Sequence, residues 1–462
     1  MSLLIVFAAL GFLMWVAYRG ASVIVFAPVA ALLAVLLSAP LEVAPAFSAL
    51  FLERMAEFLK SYFPVFLLGA LFGKLIELSG FAKSIVAAVL GLLGRERAMP
   101  AVVLVCALLT YGGVSLFVVV FAVYPFAVEL FRRTDIPRRL LPGTIALGAF
   151  TFTMDSLPGT PQIQNVIPTS FFGTTTWAAP VLGSLGGLFI LVTGLVYLAR
   201  RRSAAARAGE GFGLLPAVDD AAPLDEKPVP WAIALLPLVV VGVANGLLTG
   251  WIKGLYGEKE LTPAGATAPL VVNVTKWAPI WAVEAALMLG ILCVVAFAFT
   301  RVRSQFMVGS KAAVSGALLA SMNTASEYGF GAVIAALPGF LIVSDALKRI
   351  PSPLVGEAVS VTTLAGITGA AAGGLGLARG AMGATFIEQA KNAHIPMEVL
   401  HRVAAMASGG MDTLPHNGAV ITLLAVTGLT HRESYRDIFA ITLIKTMAVF
   451  VVIAIYSATG LV

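Results

Sequence analysis

The chain has 462 residues, 59% hydrophobic and only 12% charged, against about 25% charged in soluble domains, and this excludes a soluble globule. With a mean hydropathy of +0.96, its successive apolar runs of about 15 to 25 residues mark a polytopic helical membrane protein. Runs such as LLIVFAALGFLMWVA are apolar on every face, which excludes a β-barrel, and the net charge of +6 sits mostly between runs, where it sets orientation and does not bind nucleic acid.

Spanning helices are expected near residues 2–18, 22–38 and 59–79. The first lacks a charged leader and a cleavage site ahead of Arg19, so it reads as a retained helix. The weaker run 81–93 is read as an interfacial helix, followed by a re-entrant hairpin over 99–131, interrupted at Tyr111-Gly112-Gly113. Residues 140–178 form a helix broken by a polar run with prolines, and 180–198 closes the first half. The stretch 199–229, with its acids, prolines and glycines, reads as a flexible cytoplasmic linker. Spans are then expected at 231–249, 277–300 and 311–327, and a second interfacial helix at 329–347. A hairpin over 353–390, interrupted at Gly373-Gly374, a broken helix at 398–429 and a last span at 437–459 complete the chain. Cys106 and Cys293 lie inside apolar runs as small hydrophobes, and no metal set is found.

The interruptions repeat in order. Asp155-Ser156-Leu157-Pro158-Gly159-Thr160-Pro161 matches Asp412-Thr413-Leu414-Pro415-His416-Asn417-Gly418, and each is preceded by an Ile-Pro step (136–137, 395–396) and a diglycine (112–113, 373–374). Corresponding broken segments in two halves point to a secondary transporter whose site lies at the repeat interface. The domains expected are an N-terminal repeat 1–198, the linker 199–229 and a C-terminal repeat 230–462. Arg95, Arg97, Arg132, Arg133, Arg138, Arg139 and Arg200 to Arg202 face the cytoplasm by the positive-inside rule. About five crossings and one hairpin per half then make the repeats inverted, with both termini outside.

Asp155 and Asp412 stand at the centre of apolar spans, where a carboxylate costs roughly 2.5–3.5 kcal/mol. Each reads as a proton carrier or substrate anchor, or else as an N-cap where a half-helix restarts. Substrate groups are expected to meet Gly112, Gly113, Ser115, Gly159, Thr160, Gln162, Gln164, Asn165, Thr368, Gly369, Gly373, Gly374, Thr413, His416 and Asn417. Their hydroxyls, amides and free helix N-termini suit a small hydroxylated carboxylate, while the glycines serve equally for helix packing. No Arg or Lys lies within the breaks, and His416 is the histidine expected at membrane depth, as proton carrier or hydrogen-bond partner. Glu327 reads as a helix-end carboxylate or a partner of the site, and Glu284 stands alone in an apolar helix. No phosphate loop, HExxH or nucleophile-base pair suggests an enzyme, and no cofactor is implied.

The blocks YGGVSLFVVVFAVYPFAVELFRRTDIPRRLLPGTIALGAFTFTMDSLPGTPQIQN at 111–165 and ASGGMDTLPHNGAVITLL at 407–424 resemble the GntP family of gluconate permeases, which includes 3-hydroxybutyrate permeases. The resemblance implies an ion-transporter fold with elevator-type movement in a homodimer. It further implies proton symport of a small organic acid across the inner (plasma) membrane, with the lipid bilayer and protons as the other partners. Nothing in the residues chooses between sugar acids and short hydroxy-acids. A sodium-coupled carboxylate transporter stays open as an alternative, as does, more remotely, a channel or membrane enzyme.

Overall fold

The computed structural model describes residues 2–19, 21–94, 97–114, 116–213, 229–256, 274–368, 371–415 and 417–462. The first half begins with α1 (Ser2–Tyr18) and α2 (Val23–Ser38), then one helical rod from Pro40 to Leu78. That rod starts with a 3₁₀ turn and a single turn α3 (Val43–Pro45), passes a π-helical stretch Ala46–Leu52 and continues as α4 (Glu53–Leu78). The span expected at 59–79 is thus the end of a longer helix: Pro40 and Pro45 sit in starting turns, where proline is tolerated, and do not break it. There follow α5 (Phe81–Leu93), the hairpin α6 (Ala98–Tyr111) and α7 (Leu116–Arg133), the broken helix α8 (Leu141–Ala149), α9 (Phe152–Asp155) and α10 (Ile163–Phe172), and α11 (Pro180–Arg207).

The second half runs in the same order: α12 (Trp231–Tyr256), α13 (Val274–Arg303), α14 (Phe306–Ala336), α15 (Pro338–Lys348), the hairpin α16 (Pro353–Thr368) and α17 (Ala371–Asn392), the broken pair α18 (Met397–Ser408) and α19 (Gly418–Thr427), and α20 (His431–Thr459). Packing partners exchange between the halves. α2 lies on α14 while α13 lies on α4, α1 lies on α15 while α12 lies on α5, and α4 crosses α14. Each broken helix packs on its own hairpin, α8 on α6 and α18 on α16, and on the other half's hairpin, α10 on α17 and α19 on α7. The breaks therefore meet at the centre of the molecule.

Four boundaries differ from the sequence reading. The break expected between 327 and 329 falls at Leu337: α14 runs on to Ala336, and Pro338, the first residue of α15, sets an 81° bend. In the second hairpin α16 ends at Thr368 and α17 begins at Ala371, residues 369–370 lying outside the described residues, and Gly373 and Gly374 are inside α17. There a Cβ on Gly374 would collide with the backbone of Ala365, so this glycine lets the two arms touch. The linker begins as helix, because the Arg- and Ala-rich run through Arg207 favours α11's continuation. Its next residues fold back, the Phe212 amide donating to Asp135 at 2.9 Å and Arg139 gripping Glu210 with two bonds at 2.6 and 2.7 Å; residues 214–228 lie outside the described residues. The loop expected at 431–437 is helical, started by a capping box between Thr430 and Glu433.

Among the described residues, Pro40–Leu78, Pro180–Arg207, Trp231–Tyr256, Trp277–Arg303 and His431–Thr459 are long and apolar enough to cross a bilayer, and α14 with α15 makes a bent sixth.

Candidate functional site

The first break opens where Thr151 leaves helical geometry, and Pro158, Gly159 and Pro161 keep the chain irregular until α10 restarts at Ile163. The tip of the first hairpin is fastened to it. Gln162 donates to the carbonyls of Thr110 at 2.7 Å and Val114 at 3.3 Å, and the Tyr111 hydroxyl donates to Pro158 at 2.8 Å. Gly112 and Gly113 are buried against Leu238, Pro161 and Leu287, so in this conformation they admit protein and not ligand. Thr160 donates to Thr153 O at 2.8 Å, and the Gly159 carbonyl accepts from Asn245 of α12 at 3.0 Å.

In the second break, Thr413 shares a 2.7 Å hydrogen bond with Thr442 of α20, and its carbonyl accepts from the Tyr435 hydroxyl at 3.1 Å. Asn417 caps α19, accepting from the amides of Ala419 and Val420. Neither aspartate is a cap. Asp155 ends α9 and accepts from the Ser156 hydroxyl at 2.7 Å; Asp412 pairs with Lys445. Ser115, Gly369 and His416 lie outside the described residues, and so does the side chain of Thr368.

Cations enter the breaks from neighbouring helices. Arg402 of α18 is fully buried and donates to Asp155 O at 2.9 Å, Ala178 O at 2.7 Å and Asn165 Oδ1 at 3.1 Å. Lys445 of α20 donates to the Asp412 carboxylate and, at 3.1 Å, to Phe150 O at the end of α8. The absence of Arg and Lys from the break sequences therefore does not hold for the breaks in space. A histidine that the sequence reading did not single out sits deep in the fold: His401 is fully buried, its Nδ1 at 2.6 Å from the Thr174 hydroxyl and its Nε2 at 3.1 Å from Asn165 Oδ1. Asn165 is thus a junction, since its amide also donates to Thr160 O and Thr176 O. Glu327, expected at a helix end, is buried in the middle of α14.

The two breaks touch through a small residue. A Cβ on Gly409, the first residue past α18, would collide with the Asp155 carboxylate. Asp155, Asp412, Arg402 and Lys445 are two acids and two bases, all buried; Lys445 pairs with Asp412, while Arg402 and the Asp155 carboxylate are held by hydrogen bonds. A proton on Asp412, or a carboxylate offered to Lys445, can unmake that pairing.

Paired broken segments, hairpins fastened to them and a buried charged crossing define a multi-pass helical membrane transporter. The Bacillus subtilis (strain 168) protein named uncharacterized transporter YxjC is 55% identical over 472 residues, spanning the whole of both chains, and the chain belongs to the family of that transporter. No family model matches the chain. Among solved structures, the Alcanivorax borkumensis YdaH transporter is similar with a TM-score of 0.49 and 14% identity, over 92% of this chain and 90% of that one.

Proposed function

We propose that the protein imports a small organic acid, a sugar acid such as gluconate or a short hydroxy-acid such as 3-hydroxybutyrate, by proton symport. The observation that carries this reading is Lys445, whose ammonium is shared between the Asp412 carboxylate and the Phe150 carbonyl where the two breaks cross. A proton bound to Asp412 neutralises it and frees Lys445, which then receives the substrate carboxylate; ionised Asp412 competes for the same ammonium and expels the substrate. Substrate hydroxyls turn to the threonines and amides of the breaks, Thr160, Gln162, Asn165 and Thr413.

The GntP resemblance supports the substrate class, and the exchanged packing partners support two inverted repeats, 1–198 and 230–462, joined by a cytoplasmic linker. In this reading the hairpins and broken helices travel as an elevator against α1, α2, α4 and α12 to α14 in an inner-membrane homodimer. Purified protein in liposomes tests it with labelled gluconate, 3-hydroxybutyrate and lactate. We expect counterflow of at least one of these acids and accumulation of about tenfold per pH unit for each proton coupled, acid outside. Flux without counterflow makes the protein a channel, and accumulation that follows sodium and ignores pH overturns proton coupling.

A further inference from the structure

Glu357 lies on the first arm of the second hairpin, and only 1% of it is exposed. Among the described residues, neither of its carboxyl oxygens has a hydrogen-bond partner. It borders an apolar cavity between α10, α16, α17 and α18, walled by Ile167, Phe171, Val361, Leu375, Phe386 and Ala404. The free space holds no more than about one water, so a substrate molecule does not fit.

Among the described residues, charged groups on the helices packed around α16 point elsewhere or stand exposed. His401 is engaged by Thr174 and Asn165, Arg402 by the first break, Lys445 by Asp412, and Asp437 by Arg139, Arg201 and Tyr197. Arg19, Asp345, Arg349, Glu388, Lys391, Glu398, Arg432 and Arg436 are exposed, and the side chains of Lys348 and Arg379 lie outside the described residues. α10 contributes no charge. Among the described residues, an ionised carboxylate at this place has neither counter-charge nor donor, and such packing accommodates the neutral acid instead.

We propose that Glu357 is a second proton-binding site of the transport cycle, holding its proton while the second hairpin is packed on α10 and releasing it when the hairpin lifts and water reaches the carboxyl. In that step the O–H bond breaks, the proton passes to water and the carboxylate stays behind. The proposal rests on the proton-symport reading and extends it. With Asp412 alone, one proton accompanies one monoanion and no net charge moves; with Glu357 as well, one positive charge enters per cycle.

Two measurements on the full chain test this. Infrared difference spectra of wild type against Glu357→Gln, at neutral pH in liposomes, should contain a protonated-carboxyl C=O band that shifts in deuterium oxide. A negative-inside potassium diffusion potential at equal pH should drive wild-type uptake, with a limiting accumulation near fiftyfold per 100 mV, and leave Glu357→Gln unaffected while its counterflow persists. Should the Gln variant fail to fold, Glu357→Met, which suits the apolar walls, takes its place in both arms. A spectrum without the acid band, wild-type uptake indifferent to potential, or a variant driven as strongly as wild type overturns the proposal. A wild type that shows the band but transports none of the acids overturns the symport reading, and the band then upholds proton binding at Glu357 by itself.

Discussion

Arg402 donates its Nη1 to the main-chain carbonyl of Asp155 at 2.9 Å across 247 residues of chain, one of several bonds that link the broken helix of one half to that of the other. The same guanidinium reaches Ala178 O and Asn165 Oδ1, so one planar fork holds the start of the first break, its far side and its central amide. In the reverse direction, Lys445 ties Asp412 to the end of α8. Both cations come from the second half. The crossing is therefore asymmetric in chemistry although the helices repeat in order.

Arg402→Lys should destabilise the protein nearly as much as Arg402→Met, because an ammonium cannot span the acceptors that the fork meets together. Loss of a buried hydrogen-bonded charge typically costs about 3–5 kcal/mol. Thermal melting in detergent, followed by size-exclusion chromatography, reads this directly; a Lys variant melting with wild type would show the fork to be dispensable.

Lys445→Met strands Asp412, and Asp412→Asn strands Lys445, so each single change should lower the melting temperature. Removing both charges leaves neither orphaned, and the double variant should melt above at least one of the singles, a coupling of about 1 kcal/mol or more. In liposomes Asp412→Asn should lose pH-driven accumulation yet keep counterflow, since Asn resembles the protonated acid. Strictly additive melting losses would mean that the ion pair contributes little.

Asp155→Asn is expected to behave differently from Asp412→Asn. No cation pairs with its carboxylate: Arg402 binds its main-chain carbonyl, and the side chain accepts only from Ser156 among the described residues. The exchange should leave pH-driven accumulation within a few-fold of wild type. Complete loss of accumulation with intact counterflow would move the proton from Asp412 to Asp155.

Gly409→Ala places a methyl against the Asp155 carboxylate. Overpacking of this kind costs about 1–3 kcal/mol, and the truncation Asp155→Ala should restore much of it by opening the space. Melting curves of the two singles and the double decide the point. A Gly409→Ala variant as stable as wild type would mean that the two breaks do not touch.

Arg139 beside Glu210 holds that carboxyl below its usual range. A depressed folded value adds stability that is fully present above the ordinary carboxylate value and disappears as pH falls through the folded one. The side chain is 40% exposed, and solvent screening keeps the effect below about 1 kcal/mol. Glu210→Gln should thus lower melting slightly at neutral pH and converge with wild type in acid; a difference that grows on acidification contradicts this sign.

The membrane class and the all-helical fold, with helix interrupted at both Asp-x-Leu-Pro runs, were legible in the sequence, because each rests on a local rule. Apolar runs of spanning length cannot stay in water, and Asp-Ser-Leu-Pro and Asp-Thr-Leu-Pro cannot continue a helix. Local rules erred where a residue's role depends on a neighbour from elsewhere. Gly373-Gly374 looked like a turn because glycine permits one, yet Ala365 across the hairpin needs the space at Gly374. The capping of α19 by Asn417, a residue read as a substrate group, likewise shows only in the structure.

Lys445, alone in an apolar span, carried a signal that was there to be read, since an ionisable residue at that depth calls for a partner. Arg402, close to what looked like a polar joint between hairpin and broken helix, carried none. The sequence by itself determined that charge and broken backbone must be buried near the centre, because the bilayer forbids both on its face. Only the tertiary structure decided which charges meet there: pairing depends on contacts between α18, α20 and the first break, and separations of 295 residues for Lys445 to Phe150 leave no trace in periodicity or spacing.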